Sequence, residues 1–336
     1  MGSVFGDIFR VATFGESHGA AIGCIIDGCP AGLRLLAEDI GTDMRRRRPG
    51  HAPFTSPRRE DDEVAILSGI FENKTTGAPI GLVVYNCGQN SAEYQHLERI
   101  FRPGHADYTY FSKYGIRDHR GGGRASGRET AARVAAGAVA KLILAQLGVD
   151  VSAEVAAIGD VEQCLKDGDS TGSRAICRIG GLKPGIGRPV FDKLNADLAK
   201  AIFSIGGVVG LEFGAGFAAA DSRGSLNNDE FCKRNGKIAK ASNNSGGMLG
   251  GISDGDEIYF QVAFKPPSSI AKAQRTVDID GNEVEIAING RHDPAIAPRA
   301  CVVIEAMAAI VLVNHIFSSL ADTMGGVKKA YCRRMT

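Results

Sequence analysis

The 336-residue chain has no tryptophan, and only 7% of its residues are aromatic. Base stacking along a nucleic-acid strand needs a series of aromatic faces, so that mode of binding has little to work with. Net charge is also lacking, since 39 Lys and Arg against 38 Asp and Glu leave +1. So neutral a chain offers no general phosphate track or membrane-attracting face, and any cationic character must be local. The eight cysteines include no CxxC pair and no Cys/His cluster at zinc spacing. Reduced thiols and no bound metal are therefore expected. The opening residues lack a charged stretch followed by an apolar one, which argues against a secretory leader. The longest apolar run, Cys301 to Val313, is interrupted by Glu305 and falls short of the roughly 20 residues that span a bilayer. A cytoplasmic protein without membrane or nucleic-acid partners is expected. Two ligand signatures are missing as well. No GK[ST] loop supports nucleotide hydrolysis, and no G-x-G-x-x-G between a strand and a helix supports a Rossmann nicotinamide site.

What the chain has in excess is glycine, 44 residues, nearly twice the usual share of roughly 7%. Without collagen periodicity, this implies many tight turns and close backbone approaches. Three helices are readable between them. One runs from about Arg128 to Leu147, with Ser126 and Glu129 spaced as a capping box and Gly148 at the stop. Another spans about Pro298 to Leu320 on an apolar stripe, and a third about Asp192 to Ser204, stopped by Gly206 and Gly207. Strand signals fall at Ile22–Ile26, Val64–Ile70, Ile80–Tyr85 and Glu257–Phe264. The last alternates apolar and polar residues, as a sheet with one buried face requires. Strands and helices mix without a βαβ rhythm, and no Ser/Pro-rich linker divides the chain. The fold expected is α+β, a layered sandwich with antiparallel sheets and long helices, in one domain over 1–336.

Six polar loops could carry chemistry. Gly15-Glu16-Ser17-His18-Gly19 sets an acid, a hydroxyl and an imidazole between glycines. Arg45 to Arg48, with Arg58 and Arg59 beyond, concentrates guanidinium groups, whose planar forks meet carboxylate and phosphate oxygens bidentately. Phe101 to Asp107 holds Arg102 and His105 in a Pro/Gly turn. Arg120 to Glu129 is a Gly-rich run leading into the first long helix, where free N–H groups and the helix dipole favour an anion. Gly290 to Pro294 contains Arg291, His292 and Asp293. The sixth is Ser242 to Gly251, paired with Lys265 to Ser269. Each alone is equally a solvated turn, because Gly, Asn and Pro favour turns anyway. Together they place arginine in four loops and histidine in three. If they converge, the cleft is cationic and needs a small, multiply anionic ligand, because unpaired buried charge is costly.

The motifs FGESHG at Phe14–Gly19, RRRPG at Arg46–Gly50, FRPGHADYTY at Phe101–Tyr110, GGGRASGRETAARVAAGA at Gly121–Ala138 and GRHDP at Gly290–Pro294 occur in one order along the chain. In motif and order the sequence resembles the chorismate synthases over essentially its whole length. The resemblance implies elimination of phosphate from 5-enolpyruvylshikimate 3-phosphate, with reduced FMN required and no net oxidation. NADPH is a possible reductant for that flavin. By motif position, His18 resembles the acid that protonates departing phosphate, His105 the imidazole near flavin N1, and Asp293 the carboxylate managing the proton at N5. Ser17, Arg47, Arg102, Ser126, Arg128 and Arg291 resemble the substrate contacts. Flavin contacts would come from Arg124, Ala125, Ser126, Gly206, Gly207, Asn244, Ser245, Gly250, Lys265, Pro266, Pro267, Ser268, Ser269 and Arg291. The same resemblance implies a homotetramer. Departures from the family pattern are Pro53 in place of a basic residue, the glycine pair 206–207, and an abbreviated segment near Asp160 to Thr171. Read from the residues alone, a flavin oxidoreductase acting on a small polyanion and a nucleic-acid binder using Arg45–Arg48 remain as alternatives.

Overall fold

The computed structural model describes residues 2–50, 62–87, 91–234, 236–288 and 293–332, with 91–93 and 237 as backbone only. Two antiparallel sheets enclose a layer of helices. The first consists of β1 (Val4–Phe5), β2 (Arg10–Phe14), β3 (Ala21–Asp27), β4 (Ala65–Ile66) and β5 (Ile80–Tyr85), in the order β1-β2-β3-β5-β4. The second consists of β6 (Asp150–Ile158), β7 (Ser173–Gly180), β8 (Val208–Phe213) and β9 (Ile258–Phe264), in the order β8-β9-β7-β6. In β9 the alternation read from sequence is real: Ile258, Phe260, Val262 and Phe264 are buried, and the residues between them are half-buried.

Among the helices are α1 (Ala37–Arg47), α2 (Asp107–Tyr114), α3 (Thr130–Gln146), α4 (Leu194–Phe203) and α5 (Ala297–Ser319). Helix α3 lies on β2, β3 and β5, while α5 lies on β6 and β7, and the two pack against each other through the centre. The fold is therefore α+β, layered as expected. The crossing of α3 and α5 is tight because position 137 has no side chain. A Cβ there would fall 2.2 Å from the Ala306 Cβ and 2.4 Å from its Cα. Every residue from Ala300 to Val313 is buried, as a helix apolar on all sides must be. By length and hydropathy α5 could cross a membrane, yet 83% of its apolar window is buried inside the fold, so it is a core helix.

The one carboxylate on that helix, Glu305, accepts from Arg46 at 2.6 and 2.7 Å, from Lys141 at 2.8 Å and from the Ala153 N–H at 2.9 Å. Burial raises its affinity for a proton, but Arg46 and Lys141 outweigh that and hold it ionised below the usual range. One consequence is that the arginine run is divided between tasks: Arg46 neutralises the core, while Arg47 turns elsewhere.

Two local expectations are corrected. Val64–Ile70 is not one strand. It breaks into β4 and a separate two-residue strand, Ile70–Phe71, because Gly69 takes φ +81° and passes against the Pro79 carbonyl and Ile80. The capping box at Ser126 and Glu129 does not form. Ser126 caps a 3-10 turn at Gly127–Glu129, accepting from the Arg128 N–H at 3.3 Å, while Glu129 reaches forward to Arg133 at 2.9 Å. Helix α3 accordingly begins at Thr130, two residues later than read.

Candidate functional site

The Gly-rich loop before α3 acts as a platform. Gly121, Gly122 and Gly123 all have positive φ, a conformation side chains oppose, and the space a side chain would need is already taken. A Cβ on Gly121 would meet His18 Cδ2 at 2.5 Å and Nε2 at 2.6 Å, and Ser17 Oγ at 2.9 Å. On Gly122 it would meet His105 Cε1 at 3.2 Å, and Nε2 of His105 and Nη2 of Arg102 at 3.3 Å. Two histidines more than eighty positions apart in the chain therefore rest on consecutive glycines.

Each imidazole is held from behind. The His18 ring is buried, with the Tyr94 ring edge-on at 5.1 Å, and Ser17 beside it donates its hydroxyl to the Arg120 carbonyl at 3.2 Å. His105 Nδ1 lies 3.0 Å from Asp107 Oδ1 and 3.1 Å from Arg102 Nη2. Asp107 is itself buried and accepts from Arg102 Nε at 2.7 Å and Nη2 at 2.9 Å. Burial alone would raise Asp107, but hydrogen bonds from Arg102 and His105 hold it far below the ordinary carboxylate range. With Nδ1 engaged by this ion pair, His105 Nε2 is the nitrogen presented to Gly122.

Beside this lies a second ionic group. Arg47, at the last turn of α1, donates to Asp62 Oδ2 at 2.7 Å, and Arg128 donates to Oδ1 of the same carboxylate. Arg128 Nε also donates to Asn86 Oδ1 at 3.0 Å, and the Asn86 amide donates to the Glu16 and Gly19 carbonyls at 3.0 and 2.9 Å. Asn86 thus ties the His18 loop to Arg128. Burial pulls the Arg47 proton affinity down to about 10, against the pull of Asp62 and with help from Arg299 and Arg128, so it remains a cation at neutral pH. For Asp62, burial raises and the two arginines lower, with the arginines prevailing. Arg299 in turn donates from Nε to the Arg47 carbonyl at 3.0 Å and from Nη1 to Asp293. Asp293, Arg47 and Arg128 are thus joined through Arg299 and Asp62, Asn86 ties Arg128 to the His18 loop, and the Gly121–Gly122 backbone lies between His18 and the Arg102–His105 pair, so five separate segments of the chain meet. Arg291 lies outside the described residues, as do His51 and Pro53.

Further expected residues meet at Gly104, next to His105 in the chain. Lys265 donates its ammonium to the Gly104 carbonyl and its N–H to the Gly207 carbonyl at 2.9 Å, while Ser268 Cβ lies 3.5 Å from where a Gly104 Cβ would stand. Gly207, Lys265, Ser268 and the His105 turn are thereby brought together. Arg124 is anchored to the Gly15 carbonyl at 3.2 Å and Thr13 Oγ1 at 2.7 Å, facing the His18 loop.

The sequence model of the family described as chorismate synthase matches residues 9–165 and 160–317. A chorismate synthase of Lachnospira eligens is 51% identical over 98% of this chain and 99% of its own length. One from Roseiflexus castenholzii is 48% identical over 94% of this chain and 97% of its own. The chain belongs to the chorismate synthase family. A crystal structure of a chorismate synthase shares the fold, with a TM-score of 0.75 and 29% identity over 98% of both chains. Chorismate synthases are lyases, and a small-molecule substrate follows from membership. The two pieces of the family match meet at 160–165, inside the segment read as abbreviated.

Not every residue expected by resemblance makes a described contact with this cluster of histidines and arginines. Asn244 and Ser245 belong to a separate buried network. The Asn244 and Ser245 N–H groups donate to Asp229 at 2.7 and 2.9 Å, and Lys240 donates to Ser245 Oγ at 2.6 Å and to Asp254 at 2.6 Å. Gly250 turns a two-residue hairpin whose neighbours are Lys193, Leu194 and Gly187. None of these described contacts is to His18 or His105. Sequence reasoning in turn missed Asp62, Asp107, Asn86 and Arg299, the groups that hold the expected residues. Asp107 stands inside the FRPGHAD motif and was available as a signal; the other three carried none.

Proposed function

We propose that this chain catalyses the elimination of phosphate from 5-enolpyruvylshikimate 3-phosphate to give chorismate, with His18, His105 and Asp293 as its proton-handling groups. The observation that supports this most is the pairing of His18 and His105 on Gly121 and Gly122, beside arginines that suit a substrate with a phosphate and two carboxylates. Arg47, Arg102 and Arg128 supply charge for those oxyanions, with Ser17, Ser126 and Arg291 as further contacts. His18 donates a proton to the phosphate oxygen as the carbon–oxygen bond breaks, the role for which imidazole is the commonest general acid. Asp107 fixes the His105 ring, so that its Nε2 keeps one orientation. Arg299 holds Asp293 in place to accept a proton.

The residues present fit FMN. Lys265 and Arg124 offer cationic donors beside the His105 turn and the His18 loop, and Gly104 keeps the backbone there open, with nothing nearer than 3.5 Å to the place of a Cβ. We assign its binding to Arg124, Ala125, Ser126, Gly206, Gly207 and Lys265 through Ser269, with Arg291, and leave Asn244, Ser245 and Gly250 as outer contacts. The chemistry reduced FMN supplies when bound is transient electron donation, which no side chain offers and which a C6 hydrogen without an adjacent carbonyl requires.

We read 1–336 as one catalytic domain, supported by a core continuous across both sheets. We also propose a cytoplasmic homotetramer. Exposed Phe217, Leu226, Phe231 and Ile238 within one segment give it apolar surface to bury, and the eight cysteines are unpaired. Light scattering at micromolar concentration checks the assembly. The deciding assay is anaerobic turnover with chemically reduced FMN, then with FMN and NADPH in its place. Chorismate in the first arm is expected; none in either arm would refute the reading, and the second arm reports whether the chain reduces its own flavin.

A further inference from the structure

Arg47 is 1% exposed and the Asp62 side chain 0% exposed. As it stands, no ligand reaches the Arg47 guanidinium by that route, because the Asp62 carboxylate is already there. Its two oxygens are divided between two arginines, Oδ2 to Arg47 at 2.7 Å and Oδ1 to Arg128. That is how a bound carboxylate or phosphate would use them. Asp62 also takes φ +48°, a left-handed conformation that a non-glycine residue holds only when its surroundings impose it. Two further facts show that the grip on Arg47 is incomplete. Among the described residues its buried Nε has no hydrogen-bond partner, and its Nη1 contacts to the Gly127 carbonyl and Thr130 Oγ1 are long, at 3.4 Å each. Around the carboxylate stand Arg47 and Arg128, with Arg299 beyond them donating to Asp293.

We propose that the Asp62 carboxylate is an internal stand-in for a substrate oxyanion: it holds Arg47 and Arg128 in register in the empty enzyme and is exchanged out when substrate binds. This rests on the assignment of both arginines to the substrate. Asp62 is thus a positioning residue, and its function is to keep two like charges together without letting them fall into a collapsed arrangement. It also competes with the substrate. If the clasped form accounts for about nine-tenths of the empty enzyme, removing the competitor lowers the apparent KM by roughly tenfold, since affinity is reduced by the fraction that is binding-competent.

The test compares wild type and Asp62→Asn, as FMN-loaded full-length enzyme, by steady-state turnover and by the melting-temperature rise that saturating substrate produces. Exchange predicts a KM about tenfold lower with kcat changed less. It also predicts a larger substrate-induced rise in the variant, where the Asp62 carboxylate no longer competes with the ligand for the two arginines. A higher KM with a smaller rise would show that Asp62 stays in place and supports the arginines in the complex, which overturns the proposal. Should the variant fail to fold, a crystal structure of the wild-type substrate complex decides. Asp62 Oδ2 out of hydrogen-bond reach of Arg47 is expected, and a 2.7 Å contact retained there overturns it. Wild-type enzyme without turnover would instead remove the functional assignment, and with it this inference.

Discussion

Replacing Gly121 by alanine separates what the Gly-rich loop does for stability from what it does for catalysis. Two costs follow from the structure. Position 121 has φ +62°, where an alanine loses about 1–2 kcal/mol relative to glycine. The new methyl would also stand 2.5 Å from His18 Cδ2 and 2.6 Å from Nε2, and ordinary contact requires about 3.6 Å, so the imidazole retreats by about 1 Å. A displacement of that size in a catalytic group costs about 10²-fold in turnover. Gly148 provides the control, since it has φ +73° and nothing within 4 Å of its would-be Cβ, and so bears the backbone cost alone. Both variants are expected to lose similar stability by denaturant titration, while only Gly121→Ala loses about 10²-fold in kcat, measured anaerobically with reduced FMN below the melting range. Wild-type kcat in Gly121→Ala, at a stability loss equal to that of Gly148→Ala, would refute the placement of His18 at the reacting centre.

His18→Ala and His105→Ala are each expected to lose about 10²-fold or more in turnover while still binding FMN by fluorescence titration, and near-normal kcat in either would remove that residue from the mechanism. Arg47→Lys should raise KM and lower stability together, because a point charge cannot meet Asp62, the Gly127 carbonyl and Thr130 at once; unchanged values in both would contradict this. Asp107, Asp62 and Glu305 all have folded pKa values depressed by cationic partners that outweigh burial. Their stabilisation is fully present above about pH 4.3, the upper unfolded carboxylate value, and is lost as pH falls through the folded values. Stability measured by urea titration should therefore drop from about pH 4 downward, and a flat profile to pH 2.5 would show that these pairs contribute nothing.

Much of this molecule was legible in its sequence. Apolar periodicity located α3, α4, α5 and β9 to within a few residues, because burying one stripe or one face leaves a regular mark on the chain. The short strands of 64–71 did not show, since two residues make no period and only the φ of Gly69 breaks the run. The candidate loops were visible as Gly- and Pro-bracketed arginines and histidines, because residues that meet ligands need special backbone and special charge. Which arginine serves which anion was not visible. Arg46 and Arg47 are neighbours and chemically identical, yet one neutralises Glu305 in the core and the other clasps Asp62, a choice made by the 100° that separates successive residues around α1. In the same way, the chain by itself determined that two imidazoles and several guanidiniums stand in separate turns. Only the packing of α3 between sheet and helix decided that those turns close on Gly121 and Gly122, because proximity across eighty residues is a property of the folded layers and leaves no periodic trace.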